Sequence, residues 1–212
     1  MSDTLAATAA HTLEVRHSRF LAQAAPATNP DAALAFLAQA ADADATHNCW
    51  AYRVGPAYRS SDDGEPSGTA GRPILAAIDG QGFDQVVVVV TRWYGGIKLG
   101  AGGLVRAYGG AAAQCLRTAP RWPLIATREL ELHAAFDDIG VVHGALTAHG
   151  ADKLAESFAA DGVCMRMSLP DDRVDAFKTQ LRDVTRDRVR FTPDSPLQEL
   201  RKLRPDFKTS ST

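Results

Sequence analysis

The chain has 212 residues, of which 45% are apolar and 23% charged, and a formal net charge of -2. That length accommodates one large or two modest domains with real cores. The apolar runs fall far short of a bilayer span, so no membrane partner is expected, and the slight acidity argues against general coating of nucleic acid.

Residues 11–15 and 18–25 are expected as two short strands, with Phe20, Ala22 and Ala24 on one side. A helix then opens at Asn29, Pro30 and Asp31: Asn caps, Pro suits the first helical position, and Asp meets the positive end of the helix dipole. Ala33, Leu34, Phe36, Leu37, Ala40 and Ala41 would form its buried face. A strand over 47–54 ends at Gly55-Pro56, and the turn formers of residues 60–73 make a loop with Asp62, Asp63 and Glu65 close together. This loop leads into a short apolar helix over 74–78, where its small residues could present backbone donors to an anion.

Five consecutive valines, 86–90, suit a central strand covered on both faces. Behind it stand Arg92, Trp93, Tyr94, Gly95, Gly96, Lys98 and Gly100, with five glycines between positions 95 and 103. So many glycines carry an entropic cost that packing alone rarely justifies. An alanine-rich helix follows over about 104–118, burying Leu104, Ala107, Tyr108, Ala111, Ala112 and Cys115. Charge sharpens this picture: residues 85–128 hold no acid and sum to +6, against -5 before them and -3 after them. Such segregation suits an anionic partner of the middle segment, with Arg92 and Lys98 as better candidates than Arg117, Arg121 or Arg128.

Pro120 and Pro123 mark a linker over 120–123. Beyond it, a strand over 128–135, a helix over 139–149, strands over 151–159 and 163–169 joined at Asp161-Gly162, a helix from Pro170 to about Thr185 with Val174, Phe177, Leu181 and Val184 on one face, and a strand over 188–192 read in order βαββαβ. The remainder, 193–212, is expected to be a mostly flexible tail with a basic helical turn over 197–203.

No GxSxG, HExxH or paired CxxC is present, and neither the glycine turn nor its lysine has P-loop spacing. His47 and Cys49 lack two further metal ligands, and an acidic trio such as Asp62, Asp63 and Glu65 is commonly a solvated turn. A second possibility for that trio is that it folds across Arg92 and Lys98 and neutralises them. Trp93 and Tyr94 could stack on bases or a peptide, though neighbours on a strand point opposite ways, so one of them should pack under the loop. No catalytic residue, metal or cofactor is expected. The scattered Cys49, Cys115 and Cys164, and a start unlike a secretory signal, give a cytoplasmic expectation.

The strings SRFLAQAAP, THNCWAYRVG, SSDDGEPSGTAGRPIL and VVTRWYGGIKLGAGGLVRAYGGA resemble the YigZ/IMPACT family over residues 18–118. Residues 124–192 resemble, mainly by pattern, the second domain of its bacterial YigZ branch. The resemblance implies an α+β protein: a ribosomal protein S5 domain 2-like α/β domain over 1–119, then a ferredoxin-like domain over 124–192 similar to the last domain of elongation factor G. It implies a binding or regulatory protein linked to translation, with RNA or a ribosome-associated protein as partner. The motif residues carried over are Asp62, Asp63, Glu65, Ser67, Thr69 and, in the same loop, Arg72, with Arg92, Trp93, Tyr94, Gly95, Gly96, Lys98, Gly100 and Arg106 as the ligand-binding set. Phenylalanine is common in the family where Tyr94 stands. Rival expectations are an enzyme acting on a small phosphorylated or nucleotide substrate, and a pure protein-protein adaptor.

Overall fold

The computed structural model describes residues 2–192 and 202–205. It is a mixed α/β protein whose contacts separate into two compact units, one running up to Leu124 and one beginning at Ile125.

The first unit contains β1 (Ser2–Leu5), β2 (Ala9–Val15), β3 (Ser18–Pro26), α1 (Pro30–Ala40), β4 (His47–Val54), β5 (Ala57–Ser61), α2 (Gly71–Gly80), β6 (Val86–Trp93), α3 (Ala101–Thr118) and the start of β7 (Arg121–Ala134). Its sheet has the order β2-β3-β6-β4-β5 with every neighbouring pair antiparallel, so β6 is central. Alternation along β6 divides the valines between two cores. Val86, Val88 and Val90 join Ile74, Ile78, Leu104 and Tyr108 beneath α2 and α3, while Val87 and Val89 join Ala33 beneath α1. Complete burial of each valine stabilises by about 1.5 kcal/mol or more, which fixes the register of this strand.

The expected cap of α1 is present, with the Asn29 side chain accepting from Ala32 N, but Leu34 is 37% exposed because only Ala33 on this helix is fully covered. Two strands of this unit escaped the sequence reading: β5, which pairs with β4 across Gly55-Pro56, and β1. β1 pairs with residues 121–124, so most of the expected 120–123 linker is strand.

In the second unit the rest of β7 is followed by α4 (Ile139–His149), β8 (Asp152–Ala159), β9 (Gly162–Pro170), α5 (Val174–Thr185) and β10 (Arg190–Phe191), which is the βαββαβ order. The strand order is β10-β7-β9-β8, antiparallel throughout. Its core holds Leu130, Leu132, Met165, Met167, Leu169, Phe177 and Leu181. Val184, expected on the buried face of α5, is 56% exposed. The hairpin turn is Ala160-Asp161, and Gly162 begins β9; a Cβ on Gly162 would stand 2.2 Å from the Ala134 carbonyl oxygen, so close approach to β7 explains this glycine. The expected tail lies outside the described residues except for β11 (Lys202–Pro205), which pairs with β7 where the end of a helical turn had been expected. Among the described residues no helix is long and apolar enough to cross a membrane.

Candidate functional site

The valine alternation continues past Val90 and turns Arg92 toward the α2/α3 face, in register with Phe20 on β3 and His47 on β4. A guanidinium delivered to a core must find a counter-charge. Glu65 supplies it: Arg92 Nη1 donates to Glu65 Oε1 at 2.6 Å, and the two side chains are 6% and 4% exposed. The Tyr108 hydroxyl, from α3, donates to the same oxygen at 2.7 Å while its ring packs edge-on against Phe20. Burial pushes the Tyr108 hydroxyl far above its ordinary pKa, so it acts as a fixed donor. His47 Nδ1 lies 2.7 Å from the Asp63 carbonyl oxygen, which accepts only; Nδ1 therefore carries the proton, and Nε2 stands 3.9 Å from Glu65 Oε1.

The rest of the acidic loop builds this arrangement. The Asp62 carboxylate accepts from Gly68 N at 2.8 Å, Ala70 N at 2.9 Å and Gly71 N at 2.8 Å, the last two at the start of α2. Burial alone would raise its pKa, but these three N–H groups and the nearby Arg72 hold it below the usual carboxylate range. The anion that the sequence allows at the start of α2 is therefore the chain's own carboxylate. Asp63 Oδ2 accepts from Asn48 N at 2.6 Å, and the buried Thr69 hydroxyl donates to the Pro66 carbonyl at 2.6 Å. Ser67 and Arg72 are exposed. The three acids thus go to three different tasks, and no cluster of metal-ligating side chains occurs among the described residues.

The glycine turn forms the other wall. Gly95 is pressed against the β2–β3 turn, where a Cβ would come 2.1 Å from the His17 carbonyl carbon, and its N–H donates to Ser18 Oγ at 3.1 Å. Trp93 points to the opposite sheet face beneath the Arg19 guanidinium, 3.7 Å from the ring centroid. Tyr94 is 45% exposed, its N–H fixed by Thr46 Oγ1 at 3.0 Å. Between the walls lies a cavity of about 490 Å³ lined by Thr46, His47, Glu65, Arg92, Tyr94 and Lys98, and closed by Gly100, Ala101 and Leu104 at the start of α3.

The two motif segments do converge, though with altered roles. Arg92 was expected as an open contact for phosphates and is instead buried and paired with Glu65, as the self-neutralising alternative had it. Lys98 is exposed and makes no ion pair among the described residues. Arg106 is exposed and borders a separate cavity of about 170 Å³ with Leu13, Arg16 and Leu99. Gly96 (φ +85°) and Gly100 (φ +71°) take conformations that favour glycine. Thr46, Ser18 and Tyr108 were missed; a tyrosine on the buried face of a helix needs a partner for its hydroxyl, which was the available signal for the last.

Comparison with known proteins agrees with the two-unit division. The Impact N-terminal domain family matches residues 16–116, and a domain of unknown function (DUF1949) matches residues 132–188. An IMPACT family member of Thermus thermophilus is 53% identical over 156 residues, covering 74% of this chain and 86% of its own. The IMPACT family member YigZ of Escherichia coli is 37% identical over 180 residues, covering 82% and 88%. A crystal structure titled as that of a hypothetical protein superposes with a TM-score of 0.73 at 33% identity, covering 92% of this chain and 99% of that one. On these matches the chain belongs to the YigZ/IMPACT family and is of its bacterial YigZ type.

Proposed function

We propose that this protein is a regulatory, RNA-binding protein linked to translation, which holds RNA at the mouth of the cavity between the acidic loop and the glycine turn. The observation that carries the reading is the division of charge there: Glu65, the carboxylate in the wall, is consumed by Arg92 and Tyr108, while Lys98, which has no ion pair among the described residues, lines the same cavity as the exposed Tyr94. A free cation and an open aromatic face are the combination that meets a phosphate and its base. The acid-free stretch over 85–128 favours the same partner. Family membership is consistent with a regulatory role. The element orders further support reading the first unit as a ribosomal protein S5 domain 2-like fold and the second as a ferredoxin-like fold similar to the last domain of elongation factor G. Both would suit work beside the ribosome in the cytoplasm.

The test is binding of single-stranded RNA across a salt series. Lys98→Ala should weaken binding and lower the salt slope by about 1, and Tyr94→Ala should cost about 1–3 kcal/mol. Unchanged affinity in both variants would remove the site, and capture of a protein partner that survives nuclease would favour an adaptor. An enzyme of small phosphorylated substrates is the second reading, favoured by the fixed tautomer of His47 in the cavity wall. Turnover abolished by His47→Gln without loss of folding would support it. Asp62→Asn would not discriminate, because Asp62 holds the loop itself.

A further inference from the structure

We propose that the cavity recognises guanine, reading the two N–H donors of its pairing edge with acceptors on Glu65 and His47; this rests on the RNA reading above and names the base. The first acceptor is what Glu65 leaves over. Arg92 and Tyr108 both donate to Oε1, whereas Oε2 accepts from no group among the described residues. The side chain is only 4% exposed, yet Oε2 is not sealed from solvent, and the space that Glu65 lines is the cavity. A carboxylate oxygen so deeply placed without a donor is uncommon in a native protein. A ligand N–H supplies the missing partner.

His47, on β4, provides a second acceptor independently. Its Nδ1 proton goes to the Asp63 carbonyl, so Nε2 presents a lone pair. Nε2 makes no hydrogen bond among the described residues and stands 3.9 Å from Glu65 Oε1, and His47 lines the same cavity. Thr46 completes the set from the same wall. Its Oγ1 accepts from the Tyr94 N–H at 3.0 Å, which leaves the hydroxyl proton to donate elsewhere. The wall therefore offers two acceptors and one neutral donor.

Among the four RNA bases, guanine alone answers with two N–H donors and a carbonyl on one edge: N1–H and the N2 amino group donate side by side, and O6 accepts beside them. Adenine and cytosine bring one amino group next to a bare ring nitrogen, whose lone pair would face an acceptor. Uracil brings a single N–H between two carbonyls, with the same conflict. Arg92 and Glu65 are neutral as a pair, which suits an uncharged base. The exposed Tyr94 ring offers a face for stacking, and Lys98 a cation for the attached phosphate. The volume of about 490 Å³ falls within the roughly 300–1,000 Å³ of sites that enclose small organic ligands.

The experiment measures, by fluorescence anisotropy on the full chain, binding of a short oligouridine RNA carrying one central guanosine, the same RNA with inosine there, and the all-uridine RNA. Inosine differs from guanosine only in lacking the N2 amino group. The guanosine RNA should bind on the order of tenfold tighter than the inosine RNA, with uridine weakest, and guanosine monophosphate should displace it. His47→Phe keeps a ring at this position and removes Nε2, so it should lose most of the preference for guanosine. If that variant unfolds, the wild-type series still decides, since it changes the ligand alone. Equal affinity of the wild type for the three RNAs overturns the inference and leaves the RNA reading standing. Saturable binding of guanosine monophosphate without RNA binding supports the guanine site and overturns the RNA reading. Displacement by butylamine but not by guanosine monophosphate would give the two acceptors to an ammonium group and overturn the inference. Failure of every probe overturns both readings, and a full preference kept by folded His47→Phe overturns the role of His47.

Discussion

Glu65 and Arg92 tolerate separation badly. Removing one member of a buried pair strands the other's charge, so Arg92→Leu should cost about 3–5 kcal/mol in chemical denaturation, and adding Glu65→Gln should recover part of that loss. A strictly additive double variant would show that the pair is not coupled. Arg92 variants are for the same reason poor probes of binding. The thiols offer a simpler check: burial pushes Cys49 up to about 12 and Cys115 to about 11, whereas Cys164 is only half-buried. In the folded protein at pH 8 a thiol reagent should modify Cys164 alone, with Cys49 and Cys115 following on denaturation. Residue types were legible in the sequence at this scale, and partners were not. The arginine after a valine run announced itself, but its inward direction depends on the count along β6, and Glu65 could be told from Asp62 and Asp63 only once the loop was folded.

At the scale of elements, the glycine turn predicts two unlike outcomes for one substitution. Gly95→Ala drives a methyl into the backbone of His17 and should destabilise by about 3 kcal/mol or more; Gly96→Ala has open space and carries only the left-handed penalty, about 1–2 kcal/mol. Equal melting temperatures for the two would contradict the packing described. Asp62 acts as a cap lent from outside its helix, and Asp62→Ala should cost about 1–2 kcal/mol. Its pKa is depressed on folding, so its contribution is present above the unfolded carboxylate value near 4 and is lost as pH falls through the lower folded value. The acid limb of a stability profile should therefore be shallower in Asp62→Ala. Periodicity located most elements, including the βαββαβ order. It missed β1 and β5 because both are short and their pairing, not their apolar content, makes them strands.

At the scale of the whole molecule, each unit has its own core, where the length alone had left open one large or two modest domains. Pro120 and Pro123 stand beside the division at Leu124, but they made the first residues of β7 read as a linker. A chain ended after Ala119 leaves β1 without its partner and should melt a few degrees below one ended after Leu124; identical melts would make that pairing irrelevant to stability. The same pairing bears on synthesis. Ser2–Leu5 bonds residues 121–124, and Asp3 also exchanges backbone bonds with Gly82 and Asp84, so β1 waits during translation for a strand about 120 residues later in the chain. At roughly 5–20 residues per second, β1 spends several seconds without its partner, its edge unsealed and open to chaperones.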